Sequence, residues 1–322
     1  MKRSLASLAT VLMACVASCN SASPTEPGSG ATYIRAMIDV MQAHSINRKT
    51  INWSSFRTQV LADVPAGATV SETFPAIRVA LTLLGDNHSF YTSSGGSIIS
   101  ASWYTCSAST VTGVPAMGAD VGYVRVTGFS GTAAQARAFT DSIQAAIRAA
   151  DSEQVRGWIV DLRGNGGGNM WPMIAGVGPI LGTGTAGYFI DPDAEVMSWG
   201  YNGTASQMAG DVQHVASAPY TLSSSSPKVA VLIDQRVGSA GEAVAVAFKQ
   251  RANTRFFGTA TCGRSTANLG FLMSDRALLN LTVFVLADRT MKMYGGPLEP
   301  DEVITDVSAV VPQAVAWLRA GS

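Results

Sequence analysis

The chain has 322 residues, 47% of them hydrophobic and 14% charged, and its 22 basic and 22 acidic residues cancel to a formal net charge of +0. That hydrophobic share is ample for a full core, so disorder is excluded, and the length suits one large domain or two modest ones. Balanced charge leaves no electrostatic footprint for nucleic acid, and the low charge density fits neither a polyanion binder nor an acidic tail.

The opening stretch MKRSLASLATVLMACVASCNSA starts basic and continues with an apolar segment too short for an ordinary spanning helix. It reads as an export signal over residues 1–19. Its end, VASC at Val16 to Cys19, has the small residues and cysteine of a bacterial lipobox, with Cys19 as the lipidated thiol. Cys15 in LMAC is a weaker alternative, and an ordinary cleaved signal with an incidental cysteine is the plainer one. The expected location is the cell envelope, the periplasm, with membrane contact only through the lipid anchor. Residues 20–30 are rich in Ser, Pro and Gly and form a linker. Beyond Cys15 and Cys19 only Cys106 and Cys262 remain, and a disulfide between them or two buried free thiols both fit an exported protein.

Residues 31–90 read as a small helical bundle. Val70, Phe74, Ile77, Leu81 and Leu84 step at helical spacing, and Gly85 ends the run. Tyr33, Ile34, Met37, Ile38 and Met41 make a similar face, and Trp53, Phe56 and Val60 a shorter one. Over 91–322, and clearly from about 119, the pattern changes to strand, helix, strand. VGYVRVTGF is a strand, Thr132 to Ala150 a helix, GWIVDLRG a buried strand, and a helix is expected near 171–182. An irregular polar region is expected over about 184–227. KVAVLID is then a buried strand, Ala240 to Arg251 a helix, ALLNLTVFVLAD a further strand and VVPQAVAWLRA a closing helix. Strands separated by helices predict a layered α/β core with parallel pairing.

Ser239 in VGSAGEAVA stands where the strand KVAVLID gives way to a helix, the end of an open α/β sheet at which ligands bind. A serine there is on position alone a helix cap. DLRGNGGGN, Asp161 to Asn169, follows another buried strand, and its consecutive glycines let the backbone turn tightly and present N–H groups at close range. It has neither the Gly-Lys-Ser/Thr of a P-loop nor GxGxxG spacing, so nucleotide binding is not expected. No CxxC, HExxH or His/Cys cluster supports a metal site. The chain has three histidines. His44 lies near a helix end, His214 in the polar region, and His88 in LGDNHSFY, on a turn where Asp86 and Asn87 are placed to fix its orientation.

Taken in order, GDNHSFY, VRGWIVDLRGNGGG, VAVLIDQRVGSAGEAVAVAF, GTATCGRSTANLG and GGPLEPDEVI resemble the successive signatures of the tail-specific, or C-terminal processing, serine peptidases, in the branch that uses histidine. The similarity runs from about residue 30 to 320. It implies a crotonase-like or ClpP-like α/β protease core with an N-terminal helical cap. It also implies Ser239 as nucleophile, an oxyanion hole from Ala240 and Gly167 or Gly168, and Glu242 in a supporting role. Small residues at 238, 240 and 241 would leave room for the substrate backbone.

Where many members carry a lysine base, this chain has Arg264, which stays protonated and cannot take a proton. The resemblance then assigns the base to His88, with Asp86, Asn87 or a backbone carbonyl holding the ring. About thirty residues separate DNHSFY from VGYVRV, too few for the PDZ module many members insert. The expected partners are peptides or unstructured protein segments, with no metal or organic cofactor. A catalytically inactive peptide- or ligand-binding lipoprotein on the same fold is the rival reading, and an esterase a third.

Overall fold

The computed structural model describes residues 29–101, 106, 111 and 115–320. The expected export signal, Cys15, Cys19 and most of the expected linker lie outside the described residues. The first helix, α1, spans Gly30–His44 and buries Ile34, Met37, Ile38 and Met41. In α2, Trp53–Ala62, the Asn52 side chain accepts from Ser55 N at the N-terminus while Phe56 and Val60 face inward. A short 3-10 turn, Ser71–Thr73, leads into α3, Phe74–Leu83, whose inner face is Ala76, Ile77, Ala80 and Leu81. The predicted stripe beginning at Val70 therefore enters its α-helix one turn later, with Pro75 in the first turn, where a missing N–H costs nothing.

Two short strands follow, β1 (Phe90–Thr92) and β2 (Ile98–Ser100). The remainder runs β3 (Gly122–Arg125), α4 (Ala133–Ala150), β4 (Gly157–Asp161), α5 (Met170–Leu181), β5 (Gly184–Ile190), β6 (Val196–Tyr201), β7 (Ala205–Met208), β8 (Asp211–Val215) and β9 (Lys228–Ile233). After these come α6 (Ala240–Phe248), β10 (Thr254–Gly258), β11 (Thr266–Leu272), β12 (Leu278–Asp288), β13 (Glu302–Val303) and α7 (Val307–Arg319).

Five strands form a parallel sheet in the order β13-β10-β9-β4-β3. Its central strands β4 and β9 are apolar on both faces because both are covered. Trp158, Val160, Val229, Val231 and Ile233 belong to the main core beneath α4, α5 and α6. Their neighbours Ile159, Ala230 and Leu232 turn to the opposite face and pack with Val310, Ala314 and Leu318 of α7.

The second sheet is antiparallel, in the order β2-β1-β12-β5-β6-β7-β8, with β11 paired to β12. Helices α5 and α6 lie between the two sheets, and α1 and α3 pack on the second sheet at β12 and β2. The two sheets and the helices between them form a mixed α/β core carrying the N-terminal helices.

Two expectations are corrected. Residues 184–215 are not irregular but form the four-stranded meander β5 to β8. These strands are short, and β8 buries none of its residues, so period-two alternation is weak in the sequence. What fixes them is packing of Trp199, Tyr201 and Met208 into the core. The helix after Ser239 ends at Phe248 rather than Arg251. Lys249 takes extended backbone and Gln250 a positive φ of 55°, while the Arg251 guanidinium donates to the carbonyls of Leu181, Pro227 and Ala252.

Cys106 and Cys262 are joined by a disulfide, their Cα atoms 5.3 Å apart and 156 positions distant in sequence. A cross-link of this span restrains the unfolded chain, so the Cys106→Ser/Cys262→Ser pair should lower Tm by roughly 5–10 °C. Calorimetry with and without reductant checks this; an unchanged Tm would show that the bond contributes no stability.

Candidate active site

The site begins with backbone. Ser239 sits between β9 and α6 with φ 54° and ψ −122°, a conformation that L-residues rarely hold, at the turn from a parallel strand into a helix. Three contacts secure this turn: Gly238 N donates to the Asn165 carbonyl at 3.0 Å, Gly241 N to the Gly238 carbonyl at 2.9 Å, and Cys262 N to the Val237 carbonyl at 2.8 Å.

The loop after β4 presses against it. A Cβ on Gly167, whose φ is 110°, would lie 2.8 Å from Ser239 Cβ and 3.2 Å from Ala240 N, so only glycine leaves the space before that N–H open. Gly238 and Gly241 are also held small by the loops around them: a Cβ on Gly238 would come 3.3 Å from Cys262 Cβ, and one on Gly241 would strike the Asn165 carbonyl.

Glu242 lies one turn into α6 and is fully buried. Its Oε2 accepts from Ser239 N at 3.1 Å and Arg264 N at 2.6 Å, and its Oε1 from Gly263 N at 2.8 Å and Thr261 Oγ1 at 2.5 Å. One carboxyl thus holds the serine turn to the segment 261–264. Burial pushes it up to about 7, the loss of water outweighing the four donors.

His88 reaches Ser239 from the other side of the cleft. Its Nε2 is 2.9 Å from Ser239 Oγ and its Nδ1 is 2.8 Å from Thr266 Oγ1 on β11. Asp86 and Asn87 do not touch the ring, contrary to the expectation for them. Asp86 Oδ1 accepts from the backbone N–H of His88 at 2.9 Å and of Ser89 at 2.6 Å, while Asn87 Nδ2 donates to the Gly263 carbonyl at 3.0 Å. They shape the loop, Asn268 Nδ2 donates to the His88 carbonyl at 2.9 Å, and Thr266 takes the ring. Nothing in sequence distinguishes that threonine, since its partner lies 178 positions away.

The imidazole is 7% exposed, and burial together with the nearby Arg264 cation pushes it down to about 3. Of the other histidines, His44 stacks on Phe271 at the end of α1, and His214 lies on β8, paired with Ser206 of β7.

The oxyanion candidates separate on geometry. The Gly167 N–H is already engaged, donating to Asn165 Oδ1 at 3.0 Å. Gly168 and Ala240 both line the cleft beside Ser239. The cleft is a cavity of about 480 Å³ that runs from His88, Ser239 and Arg264 past Ala243 into an apolar end.

Residues 120–304, more than half of the chain, match Peptidase family S41. The chain belongs to that family, the tail-specific or C-terminal processing proteases. Its similarity to the nisin-resistance protein of Lactococcus lactis subsp. lactis is 25% identity over 301 residues, 91% of this chain and 88% of that one. With the carboxy-terminal processing protease CtpA of Bacillus subtilis (strain 168) it shares 28% identity over 165 residues, 51% of this chain and 30% of the relative.

Among solved structures, a lipoprotein from Streptococcus agalactiae has the same fold at TM-score 0.74 and 21% identity, over 92% of this chain and 99% of that chain. The photosystem II D1 C-terminal processing protease follows at TM-score 0.54 and 15% identity, over 86% of this chain and 93% of that chain.

Because the His88 pKa is lowered on folding, protonation favours the unfolded chain. Its contribution is complete above about 6.5 and is lost as pH falls from there toward about 3. His88→Gln should flatten that part of the stability profile. With His88 as general base, the acid limb of kcat/KM for an activated ester should lie well below pH 6, and Arg264→Gln, which removes a repelling cation, should move it upward. A wild-type limb at 6.5 would contradict this assignment.

Proposed function

We propose that the protein is an exported serine peptidase that cleaves peptides or protein C-terminal segments through an acyl-enzyme. The observation carrying this reading is the 2.9 Å contact between His88 Nε2 and Ser239 Oγ at a strained strand-to-helix turn. The Ser239 hydroxyl attacks the scissile carbonyl as its proton passes to Nε2, forming the C–O bond. The N–H groups of Ala240 and Gly168 hold the oxyanion. Collapse breaks the C–N bond, and Nε2 returns the proton to the leaving amine. Water, deprotonated by the same nitrogen, then releases the acyl group.

Thr266 Oγ1 accepts the Nδ1 proton and leaves Nε2 as the acceptor facing the serine. With no carboxylate on the ring, the imidazolium is unfavourable at rest and is stabilised only when the oxyanion develops beside it. Arg264 occupies the neighbourhood of the usual lysine without acting as base. The chemistry proposed needs no metal or organic cofactor, and no role for nucleic acid is invoked. The basic-apolar N-terminus with Cys19 supports export and lipid anchoring in the cell envelope. Similarity to the nisin-resistance protein supports a small extracytoplasmic peptide as substrate.

A fluorophosphonate probe should label Ser239 in the wild type. Ser239→Ala should abolish labelling, and His88→Ala should slow peptide hydrolysis by about 10⁴-fold or more. Peptide binding without fragments would support the inactive binder, and ester hydrolysis without peptide cleavage the esterase.

A further inference from the structure

The cleft is asymmetric about the imidazole, and this asymmetry bears on substrate choice. His88 must protonate the departing amine, so the leaving group lies on the imidazole side, where Arg264 and Asn87 line a smaller cavity of about 260 Å³. The acyl half of the substrate extends the other way. There, Ala240 and Ala243, three apart on α6, turn their methyl groups into the larger cavity directly below the nucleophile.

Beyond them the lining is Trp171, Phe189, Met197, Met208, Phe284 and Leu286. Phe189 is at the centre of an aromatic group, 6.3 Å edge-on from Trp171 and 5.8 Å from Phe284. The uncharged polar residues of the lining are Asn169, Asn268 and Asn280, with the serine itself, Thr266 and the glycines. The charged or titratable ones, His88 and Arg264, also line the smaller cavity and so mark the leaving-group end.

Resting on the serine peptidase reading, we infer that this cavity is the acyl-side specificity pocket and that it selects a large apolar, above all aromatic, side chain on the residue whose carbonyl is attacked. The whole cavity, nucleophile end included, is about 480 Å³, which leaves its apolar end room for a side chain larger than that of alanine or serine. Edge-to-face aromatic and sulfur-aromatic contacts from Phe189, Phe284, Met197 and Met208 suit a ring. At the apolar end formed by Trp171, Phe189, Met197, Met208, Phe284 and Leu286, an Asp or Lys side chain would find no countercharge. Three of the walls, Phe189, Met197 and Met208, come from the meander β5 to β8, which gives that element a part in substrate choice.

The test is a series of quenched fluorescent peptides differing only before the scissile bond, with Phe, Leu, Ala, Asp or Lys at that position. The expected result is kcat/KM for Phe at least ~10-fold above Ala and lower still for Asp and Lys. In Met197→Lys, a partly exposed position, the Asp peptide should gain relative to Phe. Ala243→Leu, which shortens the pocket without adding charge, should reverse the Phe-over-Ala ranking.

Melting curves establish that each variant folds, and the wild-type profile stands without them. Equal rates across the wild-type series, or an unchanged ranking in a folded variant, overturn the pocket assignment. Fluorophosphonate labelling of the wild type is the separate control. A labelled Ser239 with a flat profile sinks the pocket alone, whereas absent labelling sinks the underlying peptidase reading.

Discussion

The arrangement depends on one hydrogen bond between side chains 151 positions apart, His88 Nε2 to Ser239 Oγ at 2.9 Å. The imidazole follows the N-terminal helices and enters the antiparallel sheet through β1, whereas the hydroxyl is borne on the parallel sheet and α6. Each partner is held by its own layer, so the bond forms only because α5 and α6 fix the separation of the two sheets. The contact on which the proposed proton transfer rests is thus made by packing rather than by local sequence.

Two devices keep the serine side in register. The Glu242 carboxyl gathers donors from the serine turn and from the segment 261–264, so the residues flanking Arg264 and the nucleophile move together. The disulfide reaches the same segment at Cys262, and its sulfurs pack behind Gly238. The glycine loop completes the set, since any side chain at Gly167 would collide with the nucleophile or cover the adjacent N–H.

Much of this was legible in the sequence where a local pattern reports a local constraint. The buried strands, the helical faces and the Gly-Ser turn all obey periodicity or backbone rules within a few residues. Thr266 and the roles of Asp86 and Asn87 were not legible, because which hydroxyl meets an imidazole is decided by β11 crossing the cleft from far along the chain. The meander β5 to β8 escaped notice for another reason. Its strands are fixed by what they cover, notably Trp199 against Gly187, and a bare alternation test cannot see a partner strand.

On the proposed reading, Arg264 shapes the electrostatics around the imidazole without itself exchanging a proton. Burial, reinforced by the Arg264 cation, keeps the imidazole neutral, and a hydroxyl partner at Nδ1 orients it without adding proton affinity. The most direct measurement is the ¹⁵N spectrum of the histidine rings in the folded protein, which has three histidines to assign. The account predicts His88 as the neutral tautomer with the proton on Nδ1 from pH 8 down to about pH 4. A proton resident on Nε2, or a ring that titrates near pH 6.5, would contradict it.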